Sequence, residues 1–275
     1  MTINCKGNLI DLSVPKVMGI LNATPDSFYD GGKYKSEIAI LNQVEKMITE
    51  GATFIDIGAY SSKPGAEFVS EEEELNRLLP VIDLILSKFP EILLSIDTFR
   101  SKVAKQAILH GASLINDISA GLLDDKMLET VASLQVPYVM MHMKGTPKTM
   151  QGFAHYENIC KEMMFYFSER MEKARQLNIN DLIIDPGFGF AKTLDQNYEI
   201  MKYLNYFHFL ELPILVGISR KSMLYKLLDT QPEQALNGTT ALHMIALQKG
   251  TSILRVHDVK EAVECVTIFE KLKNF

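Results

Sequence analysis

Short apolar runs recur along the chain, each followed by a stretch whose apolar residues repeat at helical spacing. The runs lie at 17–21, 54–57, 92–96, 114–118, 138–141, 182–184, 214–218 and 253–256. They are near-continuously apolar, as expected of parallel strands covered by helices on their outer face. Between the first two runs, Leu41, Val44, Met47 and Ile48 share one helical face, and Ser36 stands where an N-cap is expected. The next helix opens on Ser70 and Glu73, a capping-box pattern, then sets Leu75, Leu78, Leu79, Ile82 and Leu86 on one face. Gly51, Gly111 and Gly250 each fall between a helix and the following strand, where a left-handed residue ends the helix. Eight such β-then-α units predict a (β/α)8 TIM barrel, one domain over residues 1–275. An open doubly wound sheet is the second reading, weakened by the lack of a GxGxxG fingerprint after any run. Residues 1–14 precede the first unit, and a small hairpin closing the barrel bottom is expected there.

Polar residues interrupt this pattern mainly where the strands end. The first run leads to Asn22, the second holds Asp56, the third leads to Asp97, and the fourth holds Asn116 and Asp117. The fifth reaches His142, the sixth Asp185, the seventh Ser219 and Lys221, and the eighth holds Arg255 and leads to His257 and Asp258. In barrel enzymes the C-terminal strand ends line the active site. A lone Asp or Asn there is as often a helix cap, and Thr98 and Asp117 fit that reading. Asp56 has a bland reading too, as a hydrogen-bond partner of neighbouring strands inside the barrel. The convergence of Asn22, Asp97, Asn116, Asp185, Lys221 and Arg255 on one mouth is harder to explain by caps. Long connections at 23–32 and 61–66, and the glycine-rich 186–190, follow the first, second and sixth runs, as over a catalytic face.

Composition narrows the function classes. Hydrophobic content of 47% with 23% charged residues fits a chain that buries a large core. A net charge of −6 with no basic stripe argues against nucleic acid. Cys5, Cys160 and Cys265 are far apart without metal spacing, which fits a reducing compartment. No run approaches the roughly 20 apolar residues of a membrane span, and no cleavable leader is visible. A cytoplasmic protein without membrane association is expected.

Two chemical halves emerge. Asn22, Ser219, Arg255 and His257 come from strands that adjoin once the barrel closes, and barrels often bind phosphate near strands seven and eight. Asn22 offers a neutral oxygen suited to Mg²⁺ held mainly by substrate phosphates. Asp97, Asn116, Asp185 and Lys221 suit a flat heterocycle with an amidine-like edge. No Ser-His-Asp, Cys-His or paired-glutamate set appears, which favours catalysis by positioning and electrostatics.

Seven segments carry a family resemblance: 18–28 (MGILNATPDSF), 95–98 (SIDT), 115–119 (INDIS), 141–147 (MHMKGTP), 185–190 (DPGFGF), 219–222 (SRKS) and 255–258 (RVHD). In this order, at these strand ends, the chain resembles the dihydropteroate synthase family over nearly its whole length. The resemblance implies condensation of 6-hydroxymethyl-7,8-dihydropterin diphosphate with p-aminobenzoate, with Mg²⁺. It implies that Asp97, Asn116, Asp185 and Lys221 hold the pterin edge, with Asp97, Lys221 and Arg255 acting catalytically. Arg255 with Asn22 and His257 would bind the diphosphate. Ser62, Lys63, Pro64, Phe190, Ser219 and Ser222 would surround p-aminobenzoate. A homodimer is a further expectation from the family. The chain departs from the commoner pattern in reading Ser62-Lys63 for Thr-Arg, and Tyr60 where an acidic residue is frequent. A methyltetrahydrofolate-dependent methyltransferase is the rival with the same fold, and a non-catalytic pterin-binding homologue is the other. The diphosphate half-site speaks against the first and the intact residue set against the second.

Overall fold

The structure of the protein, a computed structural model, describes residues 1–23, 33–60, 69–146 and 149–273. Two short strands, β1 (Thr2–Cys5) and β2 (Asn8–Asp11), form an antiparallel hairpin. Eight parallel strands follow: β3 (Lys16–Asn22), β4 (Phe54–Gly58), β5 (Leu93–Asp97), β6 (Leu114–Asp117), β7 (Tyr138–Met141), β8 (Leu182–Asp185), β9 (Leu215–Val216) and β10 (Ile253–Val256). Their spatial order is β8-β7-β6-β5-β4-β3-β10-β9, and a parallel bridge from Ile184 to Ile214 closes the ring. This is the (β/α)8 barrel. The seventh barrel strand is shorter than the apolar run 214–218 because Gly217 offers no side chain to pack and a turn begins at Ile218.

Successive side chains of a strand point to opposite faces, so each barrel strand splits into an outer and an inner set. The outer set, with Ile55, Ile57, Leu94, Ile96 and Leu254 among it, is buried under the helices. The inner set is stratified. At the bottom, every barrel strand contributes one apolar side chain: Met18, Phe54, Leu93, Leu114, Val139, Ile183, Leu215 and Ile253. Ile3, Cys5 and Leu12, at or beside the hairpin, are buried against this layer, so the hairpin plugs the barrel floor. Two residues further along the strands stand Asp56, Ser95, Asn116, Asp185 and Arg255. Two residues beyond that come Asn22, Asp97, Ser219 and His257. The polar residues therefore occupy the upper tiers of the barrel interior, above a dry floor.

The helices are α1 (Lys33–Thr49), α2 (Glu71–Lys88), α3 (Ser101–Leu109), α4 (Met127–Leu134), α5 (Ile159–Gln176), α6 (Leu194–Lys202), α7 (Ser222–Tyr225), α8 (Leu236–Gln248) and α9 (Val259–Lys273). α1 starts at Lys33, so Ser36 lies inside it and is not its cap; Lys and Tyr cost little in a helix, and it extends a turn earlier than the apolar stripe. Ser70 does cap α2, accepting from the Glu73 N–H at 3.1 Å. The Glu73 carboxylate turns instead to Arg77 at 2.7 Å. Gly51, Gly111 and Gly250 have φ of +99°, +106° and +84°, the left-handed turn expected after α1, α3 and α8.

Candidate active site

The upper tiers are joined by one hydrogen-bonded cluster. Asp56 is fully buried and receives three donors: Arg255 Nε at 2.6 Å, Ser95 Oγ at 2.5 Å and Asn116 Nδ2 at 3.1 Å. The same guanidinium donates from Nη2 to Asp97 at 2.8 Å. Arg255 is thus held by two carboxylates, one from β4 and one from β5. Gly58 at the end of β4 and Gly217 just after β9 leave open the space that side chains would fill next to Asp97 and Arg255. Asp56 emerges here as the hub that orients Arg255 and Asn116. Its spacing, two residues above Phe54 on the same face, was a usable sequence signal for that position.

Asp185 is buried at the end of β8 and accepts from the Gly187 N–H at 2.7 Å. Burial raises its pKa, opposed chiefly by the charge of Lys221. Lys221 follows the β9 end, donates to the Phe188 carbonyl at 2.5 Å, and places Nζ 4.9 Å from the Phe190 ring centroid. Burial lowers the Lys221 pKa to about 8, with the Asp185 charge pulling the other way. Burial likewise raises Asp97 to about 7 against the opposing charge of Arg255. On the adjoining wall, Ser219 Oγ takes the His257 N–H at 3.2 Å and lies 3.1 Å from its Nδ1. Arg220, strained at φ +54°, makes a two-pronged pair with Asp258 at 2.9 and 2.6 Å. These contacts join the β9 and β10 loops.

The structure brings Asp97, Asn116, Asp185, Lys221 and Arg255 to one mouth, with Ser219 and His257 on its rim. Asn22 ends β3 exposed, in register with Gly58. Ser222 opens α7 directly after Lys221. Ser62, Lys63 and Pro64 lie outside the described residues. Two polar strand ends do not join the site. Asp117 points outward and takes the Tyr138 hydroxyl at 2.6 Å and the Ser119 and Gly121 N–H groups at 2.7 Å. Adjacent to Asn116 on one strand, it must face the other way. His142 is buried against Tyr166, ring centroids 4.8 Å apart, and desolvation drives its pKa well down. It is a neutral packing residue.

Thr98 Oγ1 donates to Glu74, a residue of α2 that the apolar periodicity did not single out as buried. Arg100 pairs with Glu74 at 2.5 Å, donates to the Val69 carbonyl at 2.6 Å, and lies 5.4 Å from the Tyr60 ring centroid. This network links the segment after β5 to Tyr60 and Val69, the described residues on either side of 61–68.

An eight-stranded barrel with a carboxylate, amide and cation cluster at its C-terminal mouth is the frame of a pterin-binding enzyme. The family model described as pterin binding enzyme matches residues 18–257. The dihydropteroate synthase of Escherichia coli is 44% identical over 272 residues, covering 98% of this chain and 96% of that protein. The Yersinia pestis dihydropteroate synthase solved with a sulfonamide drug complex superposes with a TM-score of 0.93 at 42% identity, covering 100% of both chains. The Xanthomonas albilineans dihydropteroate synthase solved with 4-aminobenzoic acid gives a TM-score of 0.92 at 38% identity, covering 100% of this chain and 98% of that one. The chain belongs to the dihydropteroate synthase family.

Proposed function

We infer that the protein condenses 6-hydroxymethyl-7,8-dihydropterin diphosphate with p-aminobenzoate, giving 7,8-dihydropteroate and pyrophosphate. The observation that carries this reading is the cluster of Asp97, Asp56, Asn116 and Arg255, flanked by Asp185 and Lys221 and by the Ser219–His257 pair. Asp185, Asn116 and Asp97 accept from or donate to the pterin edge, and Lys221 donates to its carbonyl. Arg255 has Nε and Nη2 committed to Asp56 and Asp97. Its flat guanidinium lies along the pterin face, with Nη1 turned to the diphosphate beside His257 and Asn22.

The reaction breaks the C–O bond between the pterin methylene and the diphosphate and forms a C–N bond to the aniline nitrogen, which then sheds a proton. Departure of pyrophosphate leaves positive charge on the pterin system, and the Asp97 carboxylate stabilises it at close range. A neutral arylamine is already nucleophilic, so the lack of a strong general base is no obstacle. Phe190, Ser219 and Ser222, with Ser62, Lys63 and Pro64, surround p-aminobenzoate in this reading.

Among the described residues there is no group of three or more His, Cys, Asp or Glu that could hold a metal. A lone neutral oxygen at Asn22 fits Mg²⁺ held mostly by substrate phosphate oxygens, where the ion would neutralise charge on the leaving group. We also propose a homodimer in the cytoplasm. Ile245 on α8 and Ile268 and Leu272 on α9 are exposed on helices that pack together, and no described helix is long and apolar enough to cross a membrane. Sedimentation as a single 31.0 kDa species would refute the dimer.

Pyrophosphate release from the pterin diphosphate, with and without p-aminobenzoate and Mg²⁺, tests the function. Release that depends on p-aminobenzoate is expected, and its absence sinks the assignment. A methyltransferase has no use for the Ser219–His257–Arg255 anion wall and would release no pyrophosphate.

A further inference from the structure

The connection from β8 to α6 is folded around a cation that stands outside the substrate-facing set. Lys192 Nζ lies 2.8 Å from the carbonyl oxygen of Gly187, 2.8 Å from that of Phe190 and 3.2 Å from that of His142. An ammonium has three N–H donors, and here three carbonyl oxygens receive them. Two acceptors belong to the loop and the third to the end of β7, so a single atom ties the loop to the neighbouring strand.

This loop needs a tie. Gly187, Gly189 and Ala191 have φ of +66°, +86° and +49°. At Ala191, which carries a Cβ, that conformation is strained. A Cβ at Gly187 would collide with the His142 carbonyl oxygen, so only glycine permits so close an approach to β7. The same approach gathers three carbonyl dipoles with their negative ends around one point, where they repel unless a cation sits among them. Burial lowers the Lys192 pKa well below its usual range; Asp185 opposes this, while Lys221 and Lys144 add to it. Only the protonated side chain supplies all three donors.

The loop supports the pterin-edge residues Asp185 and Lys221 and carries Phe190 of the p-aminobenzoate surroundings. Its Gly187 N–H holds Asp185 at 2.7 Å, its Phe188 carbonyl holds Lys221 at 2.5 Å, and its Phe190 ring lies beneath the Lys221 ammonium. We propose that Lys192 is a positioning residue for both substrates, its ammonium setting the fold of 186–191 and thereby the placement of Asp185, Lys221 and Phe190. The proposal rests on the site assignments made above.

Lys192→Met keeps the apolar stem and removes the three donors. Calorimetry with the pterin alone is expected to show the dissociation constant raised at least tenfold, with a comparable rise in the KM for p-aminobenzoate. Lys192→Arg, which keeps a buried cation with donors, is expected to recover part of both. Asp185→Ala, measured in parallel, separates the two claims. Unchanged pterin binding in Asp185→Ala would mean that the site assignment fails. Weakened binding there, with Lys192→Met within twofold of wild type in both constants, would overturn the role of Lys192 alone. Lower thermal stability with both constants intact would likewise reduce Lys192 to a structural cation. Should Lys192→Met not fold, the ¹⁵N lysine spectrum of the wild type replaces it. A slowly exchanging Lys192 ammonium whose shift moves on pterin binding is expected, and an unperturbed, rapidly exchanging one overturns the proposal.

Discussion

Asp97 and Lys221 carry the two titrations that matter most at neutral pH. Burial raises the Asp97 carboxyl to about 7 despite Arg255 and lowers the Lys221 ammonium to about 8 despite Asp185. In the proposed reaction Asp97 must be ionised to stabilise positive charge on the pterin, and Lys221 must be protonated to donate to its carbonyl. Activity is therefore gained as pH rises through about 7 and lost as it passes about 8. A narrow bell in kcat/KM for the pterin diphosphate is expected. Asp97→Asn should remove the acid limb and slow turnover by about 100-fold or more. Lys221→Arg should move the alkaline limb upward, because a guanidinium does not deprotonate in this range. An alkaline limb that stays near its wild-type position in Lys221→Arg would assign it to another group.

At the scale of elements, α2 is anchored to the segment after β5 by a buried ion pair. Glu74 is 2% exposed at its side chain and Arg100 11%, and Thr98 fills the other Glu74 oxygen. Breaking such a pair by removing one partner costs about 3 kcal/mol, since the remaining charge stays buried. Arg100→Met is expected to cost about that much in urea unfolding at pH 8. Desolvation already raises the Glu74 pKa, and losing Arg100 raises it further. A folded-state pKa above the unfolded one makes stability fall as pH rises through the folded value, so the deficit should shrink at pH 5 as Glu74 takes a proton. An equal deficit at both pH values would rule out a buried carboxylate as its origin. Tyr60 is one of the places where the chain departs from the commoner family pattern. The Arg100 guanidinium, 5.4 Å from the Tyr60 ring centroid, gives an aromatic side chain a role there.

For the molecule as a whole, stability and chemistry are assigned to different levels of one barrel. The floor is apolar and sealed by the hairpin, while the polar tiers open at the opposite end. Ile3 is 1% exposed against the bottom layer, so Ile3→Ala should destabilise the fold by about 3 kcal/mol. Activity per folded molecule is expected to stay at the wild-type level. A loss of kcat in the folded variant would show that floor and mouth are coupled.

Much of this organisation is legible in the amino-acid sequence. The apolar runs marked all the barrel strands within a few residues, because the outer face of each strand is covered by helices and its lower inner position packs in the apolar floor. Residue types at the strand ends named the polar set that the structure gathers at the mouth. Even the separation of Asn116 from Asp117 follows from the two-residue period of a strand. By itself, then, the chain determined its strand count, its helical faces and the residues available at the mouth. Only the tertiary structure decided who meets whom. Asp56 became the hub between Arg255 and Asn116 because strands β4, β6 and β10 bring residues 56, 116 and 255 within hydrogen-bond reach. Glu74 was drawn inward from a polar helix start because Arg100 and Thr98 waited there. Lys192 became the centre of a carbonyl cluster through the left-handed course of residues 187–191. Local pattern reports which face of an element is buried, but a polar group is kept inside by partners distant in sequence, and barrel closure alone brings those partners together.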